Sequence, residues 1–184
     1  MKWRRAILAL ASMVALGAMA FATTVIPISI EELSRRASMI VEARAMNSWS
    51  EWNADHSMIF TFTRFEVSRS LKGGAAQEVV VRQMGGQVGH TVQRVSGLHS
   101  WLPGDESMLF LRPSEAGGGV MSVVGLMQGD FRISRSSRGE AFATNGVPQL
   151  KIYSPEAAAT PGSSGGGTEI SLEQLEARVR GAVK

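Results

Sequence analysis

The sequence predicts a mainly β protein, a small antiparallel barrel or sandwich with a short helix before it and a second helix tethered after it. Three observations carry that expectation. Strand-like runs of aromatic and β-branched residues recur from about Ser38 to Tyr153, broken by Gly, Pro, Asn and Asp clusters. No long helical period interrupts the series, so βαβ alternation is not expected. Capping-box spacings, Ser29-x-x-Glu32 and Ser171-x-x-Gln174, open a short apolar-faced segment at either end.

The chain begins with Lys2, Arg4 and Arg5, ahead of an apolar run from Ala6 to Ala22 that closes on Ala18, Ala20 and Ala22. A basic start, an apolar middle and an A-x-A end are the pattern of a secretory signal peptide. Residues 1–22 are therefore expected to be removed, leaving Thr23 first. The run is short for a spanning helix and is diluted by Ser12 and Gly17, so no stable membrane anchor is expected to remain. The expected location is periplasmic or extracellular.

Loss of that leader changes the charge argument. The whole chain carries a formal +3, from 19 Lys and Arg against 16 Asp and Glu. The leader takes three positive charges and no negative ones, so the remainder is formally neutral. Nucleic-acid binding needs clustered positive charge to displace counterions, and here Arg and Lys are interspersed with Glu; no nucleic-acid partner is expected. There are no cysteines, so an exported core must stand on packing without disulfides, and thiolate metal sites and thiol chemistry are excluded.

From Ser29 a short helix is expected to about Ala37, seating Ile30, Leu33 and Ala37 on a sheet. A strand over Met39 to Trp49, a hairpin loop at Asn53-Ala54-Asp55-His56, and a second strand over Met58 to Val67 follow. In that second strand Met58, Phe60 and Phe62 share one face while Phe65 and Val67 share the other. The buried face is therefore expected to switch partway, as in a bulged strand closing a small barrel. Further strands are expected at about Glu78–Met84, Gln87–Val95, Glu106–Arg112, Val120–Leu126, Asp130–Arg135 and Glu140–Ala143. Together they make one domain over residues 23–153. Residues 154–169, rich in Gly, Ser, Pro and Ala, read as a flexible linker. Residues 170–184 read as an amphipathic helix whose stripe of Leu172, Leu175, Val179 and Val183 either docks on the domain or meets a partner.

The stretches Arg36 to Arg44, Phe60 to Gly73, Val79 to Arg82 and Trp101 to Leu111 together resemble uncharacterised secreted bacterial proteins. More distantly they resemble the netrin-module and tissue-inhibitor-of-metalloproteinase group. The pieces that carry this are Glu66-Val67-Ser68-Arg69-Ser70-Leu71-Lys72-Gly73 and Pro103-Gly104-Asp105-Glu106-Ser107-Met108-Leu109-Phe110-Leu111. The resemblance covers about Ala37 to Arg135 and implies an OB-like barrel. The animal inhibitors share a disulfide framework and an N-terminal cysteine that reaches a protease metal; this chain has neither, so the resemblance implies the fold and leaves that mechanism unsupported.

No catalytic site, metal site or cofactor is predicted. His56, His90 and His99 are the only histidines, and none stands in an H-E-x-x-H spacing. His90 and His99 bracket Val95-Ser96-Gly97-Leu98, a loop that could bring them together. Ser68, Ser70 and Lys72 end a strand at a turn, where polar residues are expected without a Ser-Lys role. Asp105 and Glu106 are adjacent, and adjacent strand residues point to opposite faces. Gly85-Gly86-Gln87-Val88-Gly89 is followed by a strand rather than the helix a phosphate loop opens, and reads as a β corner.

Trp49 and Trp52 flank the first hairpin loop and Trp101 precedes a turn, placing all three near the ends of a barrel, where OB-type folds carry binding loops. With Phe60 and Phe62 they form either core or a recognition surface. The expected function is a non-catalytic binding or inhibitor-like module that engages an envelope or extracellular protein. Its surface draws on Trp49, Trp52, Trp101, His90 and His99, or on Leu175 and Val179 of the terminal helix. The alternatives are a hydrolase with its site near His90 and His99, and a structural envelope component.

Overall fold

The computed structural model describes residues 27–95, 98–145 and 169–183. The expected signal peptide lies outside the described residues, as does the expected linker up to residue 168. Helix α1 spans Ile30–Arg36 and is opened by Ser29, whose Oγ accepts the Glu32 N–H at 3.2 Å. Only half of the capping box forms, because the Glu32 carboxylate takes Arg35 and Arg36 instead. At the other end Lys72 Nζ donates to Ser34 O at 2.7 Å and Ala37 O at 2.6 Å, a cation on the carbonyls a helix leaves unpaired. Lys72 therefore acts as a cap, and Ser68 Oγ turns away from it to Glu42 O.

Ten strands follow among the described residues: β1 Met39–Trp52, β2 Ile59–Lys72, β3 Glu78–Met84, β4 Gly86–Val88, β5 Thr91–Gln93, β6 Glu106–Pro113, β7 Met121–Val123, β8 Asp130–Arg135, β9 Ala141–Asn145 and β10 Glu169–Ser171. Eight form one sheet in the order β1-β2-β3-β7-β6-β8-β9-β10, and β1 also pairs with β6, from Met39↔Leu111 to Arg44↔Glu106. The sheet is mixed rather than wholly antiparallel, since β3 meets β7 in parallel at Val81↔Met121. The strand expected over Gln87–Val95 is two short strands, β4 and β5, paired as a separate hairpin around Gly89 and His90.

Register shifts in the β1–β2 ladder place extra residues at Leu71 and Ser68 in β2 and at Met46 in β1. The bulges expected of a bent strand are present; the buried face of β2 does not switch between Phe62 and Phe65, but past the Ser68 bulge Leu71 packs against the opposite core from Phe65 and Val67. From Ile59 to Phe65 the buried residues Ile59, Thr63 and Phe65 share one face, and Phe60 and Phe62 stand on the other with Arg64 and Glu66. Thr63 can lie inside because Ser48 Oγ is 2.8 Å from its hydroxyl, and Thr61 meets Ser50 in the same way at 2.9 Å.

Two cores result. Val41, Ala43, Ala45, Phe65, Val81, Trp101, Leu109 and Leu111 belong to one. Ile30, Leu33, Ile40, Met108, Phe110 and Phe131 belong to the other, with residues of the terminal helix α2, Leu172–Val183. Strand β6 is buried on both faces, Leu109 and Leu111 facing the first core and Met108 and Phe110 the second, hence its unbroken apolar run. Helix α2 is docked, with Leu172, Leu175 and Val179 buried, each contributing about 2 kcal/mol by the usual scale of side-chain burial.

Candidate functional site: an aromatic and cationic sheet face

The outer face of β1, β2 and β3 beyond the Met46 bulge is built from register alone. Trp49 lies opposite Phe62, and Phe62 opposite Arg82; Glu51 lies opposite Phe60, and Phe60 opposite Met84. The Trp49 and Phe62 rings stack at 5.6 Å and 13°, and Trp49 Nε1 donates to Glu51 Oε1 at 2.8 Å. The Arg82 guanidinium lies 3.4 Å from the centre of the Phe60 ring, within reach for a cation–π contact. Trp49, Phe60, Phe62 and Arg82 are all half-buried, so the face is ordered by its own contacts yet open to a partner.

The three tryptophans do not share one surface. Trp52 is three residues from Trp49 on one strand and so faces the other side of it, stacked on His56 at 6.0 Å near the hairpin tip. Trp101 is buried, edge-on to Phe65 at 5.0 Å. Its Nε1 donates to Asp130 Oδ2 at 3.0 Å, and His99 Nε2 lies 2.8 Å from the same oxygen. That approach lacks hydrogen-bond alignment, for His99 Nε2 and Asp130 Oδ1 are both buried without a hydrogen-bond partner among the described residues.

His90 is exposed at the β4–β5 turn, and no described interaction joins it to His99. No group of three or more His, Asp or Glu residues placed to hold a metal ion occurs among the described residues. Leu175 and Val179 are wholly buried in the core; of the two fates expected for their stripe, docking is the one observed, and these two side chains offer no surface to a partner.

Next to His99 and Trp101 is a cavity of about 600 Å³ that Ser48, Ser50, Gly85 and Gly86 also line. Gly86, at φ +134°, leaves no room for a Cβ, which would fall on the hydroxyls of Ser50 and Thr61. The glycine pair is therefore a β corner with a close approach, as expected. A second cavity, of about 500 Å³, lies beside Glu42, Arg44, Glu66, Glu106 and Arg135, and its two arginines are both taken by Glu106. Arg44 meets Glu106 at 2.6 Å and Arg135 meets it at 2.9 Å. The Arg44 hydrogen bond, against the opposing effect of partial burial and with help from Arg135, holds the Glu106 carboxyl below its ordinary range.

Arg82, Met84 and Asp130 were not singled out by the sequence. The only trace of the first two was alternation in β3, where Val79 and Val81 point inward and Arg82 and Met84 outward. Asp130 left no trace, because its partners Trp101 and His99 are distant in sequence. No protein-family model matches the chain, and no curated protein matches it. No helix among the described residues is long and apolar enough to cross a membrane.

Proposed function

We propose that this chain is an exported, non-catalytic binding module with an OB-type barrel, and that it engages an envelope or extracellular protein through the outer face of β1–β3. The observation that carries the reading is the half-exposed layer of Trp49, Phe62, Phe60 and Arg82, preassembled by stacking. Trp, Phe, Met and Arg are the residue types enriched in protein interfaces. Support for the barrel comes from pairings that run β1–β2–β3–β7–β6 and return to β1, with β3 and β7 parallel. In OB folds the face of the second and third strands is a ligand surface. Export is supported by the tripartite pattern of residues 1–22, and a protein partner is favoured over nucleic acid by the neutral charge left without them.

The test is capture from envelope extract and culture fluid with the tagged chain and with its Trp49→Ala/Phe62→Ala variant. A partner retained by the first and lost by the second supports the reading. A partner held equally by both contradicts it.

A hydrolase is favoured by one observation, the approach of His99 to the buried Asp130 carboxylate, since a carboxylate can orient an imidazole for acid–base work. Against it, the Ser48 and Ser50 hydroxyls that share the His99 cavity are engaged by Thr63 and Thr61. The same cluster serves to anchor Trp101. Esterase or peptidase activity abolished by His99→Gln would revive the enzymatic reading.

A further inference from the structure

Strands β3 and β7 run in parallel but pair only at Val81↔Met121 among the described residues. Beyond that point lies a groove of about 430 Å³, whose lining includes Phe60, Arg82, Met84, Arg112, Val123 and Leu126. Its two walls are strand edges. The Gly85 N–H donates to Ile59 O, which marks a hydrogen-bonded position of the β2–β3 ladder. Antiparallel alternation then turns the N–H and C=O of Met84 away from β2. On the other wall the Val124 N–H donates to Phe110 O, and the same alternation turns the backbone groups of Val123 away from β6. No strand among the described residues pairs with Met84 or Val123 on those sides.

The groove also has unspent charge. Arg44, Arg64, Arg69, Arg132 and Arg135 all have carboxylate partners, whereas Arg82 and Arg112, like Arg94 and Arg138 outside the groove, make no ion pair among the described residues. Arg82 Nε is buried without a hydrogen-bond partner, and its Nη1 reaches Ser114 Oγ at 3.4 Å. Glu115, also on the groove, pairs with neither arginine. Around these cations the lining is mixed, Gln83, Ser114 and Ser122 alternating with apolar residues; of the latter Met84 and Leu126 are 36% and 57% exposed, and Leu126 is held at φ 63°, a region that bulky side chains rarely adopt and that concentrates at ligand clamps.

We propose that this groove accepts an extended peptide segment of the partner by strand addition, the segment presenting a carboxylate to Arg82 and Arg112 between apolar side chains. Main-chain bonds to a free edge supply affinity in such complexes, and alternate side chains supply specificity. The proposal deepens the binding reading above and rests on it.

The test titrates the full chain with a capped pentapeptide of alternating valine and glutamate, following backbone amides by NMR. The amides of Met84 and Val123 should shift. Arg82→Gln and Arg112→Gln should each weaken binding on the order of tenfold, as expected for loss of one charge-assisted hydrogen bond. N-methylation of alternate peptide nitrogens should abolish binding, and a valine–lysine analogue should not bind. Affinity that survives N-methylation overturns strand addition, and affinity that survives both arginine substitutions overturns the acidic specificity. If the pentapeptide fails to bind at millimolar concentration while Trp49→Ala/Phe62→Ala still abolishes capture from extract, this inference fails and the binding reading stands. If capture is also unaffected, both fail.

Discussion

Thr63 is buried to 1% while its larger neighbour Phe62 stands half-exposed beside Trp49. Hydrophobic alternation chooses the larger apolar side chain for the core, and here it chooses wrongly, because the Ser48 hydroxyl partners that of buried Thr63, as Ser50 partners half-buried Thr61. The consequence is an aromatic surface without a packing role. Trp49→Ala/Phe62→Ala is therefore expected to cost about 1 kcal/mol for the stacked pair plus about 1 kcal/mol for each half-buried ring, read as a shift in the urea midpoint with the fold retained. Gly86 is a different case. A Cβ there would collide with Thr61 Oγ1 and lie 2.5 Å from Ser50 Oγ, at a φ of +134° that strains any L side chain. Gly86→Ala should cost about 1–3 kcal/mol, with loss of amide protection confined first to β4 and β5. Trp101→Phe removes the donor that Asp130 Oδ2 accepts and should destabilise by about 1–3 kcal/mol through the carboxylate left less satisfied.

Among elements, the helices were the most legible. Both capping serines are where the spacing put them, and of the expected stripe Leu172, Leu175 and Val179 are buried while Val183 is exposed. The contact that joins the helices was not legible, since Arg178 and Glu31 are 147 residues apart: Arg178 Nε donates to Glu31 Oε1 at 2.8 Å and Nη2 to Oε2 at 3.0 Å. Burial alone would raise the Glu31 carboxyl, but its backbone hydrogen bond and the Arg178 fork outweigh it and hold the carboxyl below its ordinary range. A carboxyl depressed in the folded state stabilises above its unfolded value, about pH 4.3, and that contribution is lost as pH falls through the folded value. Wild-type protein should therefore lose stability below about pH 4.3 more steeply than Arg178→Gln, whose penalty near neutrality should be about 0.5–1 kcal/mol for a partly exposed pair. The β4–β5 hairpin was missed for a local reason. Its turn, Gly89 and His90, interrupts a run that otherwise alternates like one strand.

For the whole molecule, a mainly β fold with a helix at each end was readable from strand spacing and turn residues. The parallel β3–β7 contact and the return of β1 to β6 were not, because register between strands so far apart in sequence leaves no local mark. Nor did composition show that most arginines would pair while two of those without an ion pair, Arg82 and Arg112, would line one groove. Position of the terminal helix has a consequence for truncation. Ending the chain at Tyr153 removes Leu172, Leu175 and Val179 from the core that contains Leu33 and Ile40, so such a fragment should show a lower unfolding midpoint and exposed apolar surface by dye binding rather than a clean loss of one binding site.

The outer face of β1–β3 is the central claim, and site-specific photocrosslinking in intact cells tests it most directly. A photoreactive residue at Phe62 should give one dominant crosslinked protein, and the same residue at exposed Ser134 on β8 should give none. Crosslinking that is absent at Phe62, or equal at the two positions, would contradict the assignment of this face as the binding surface.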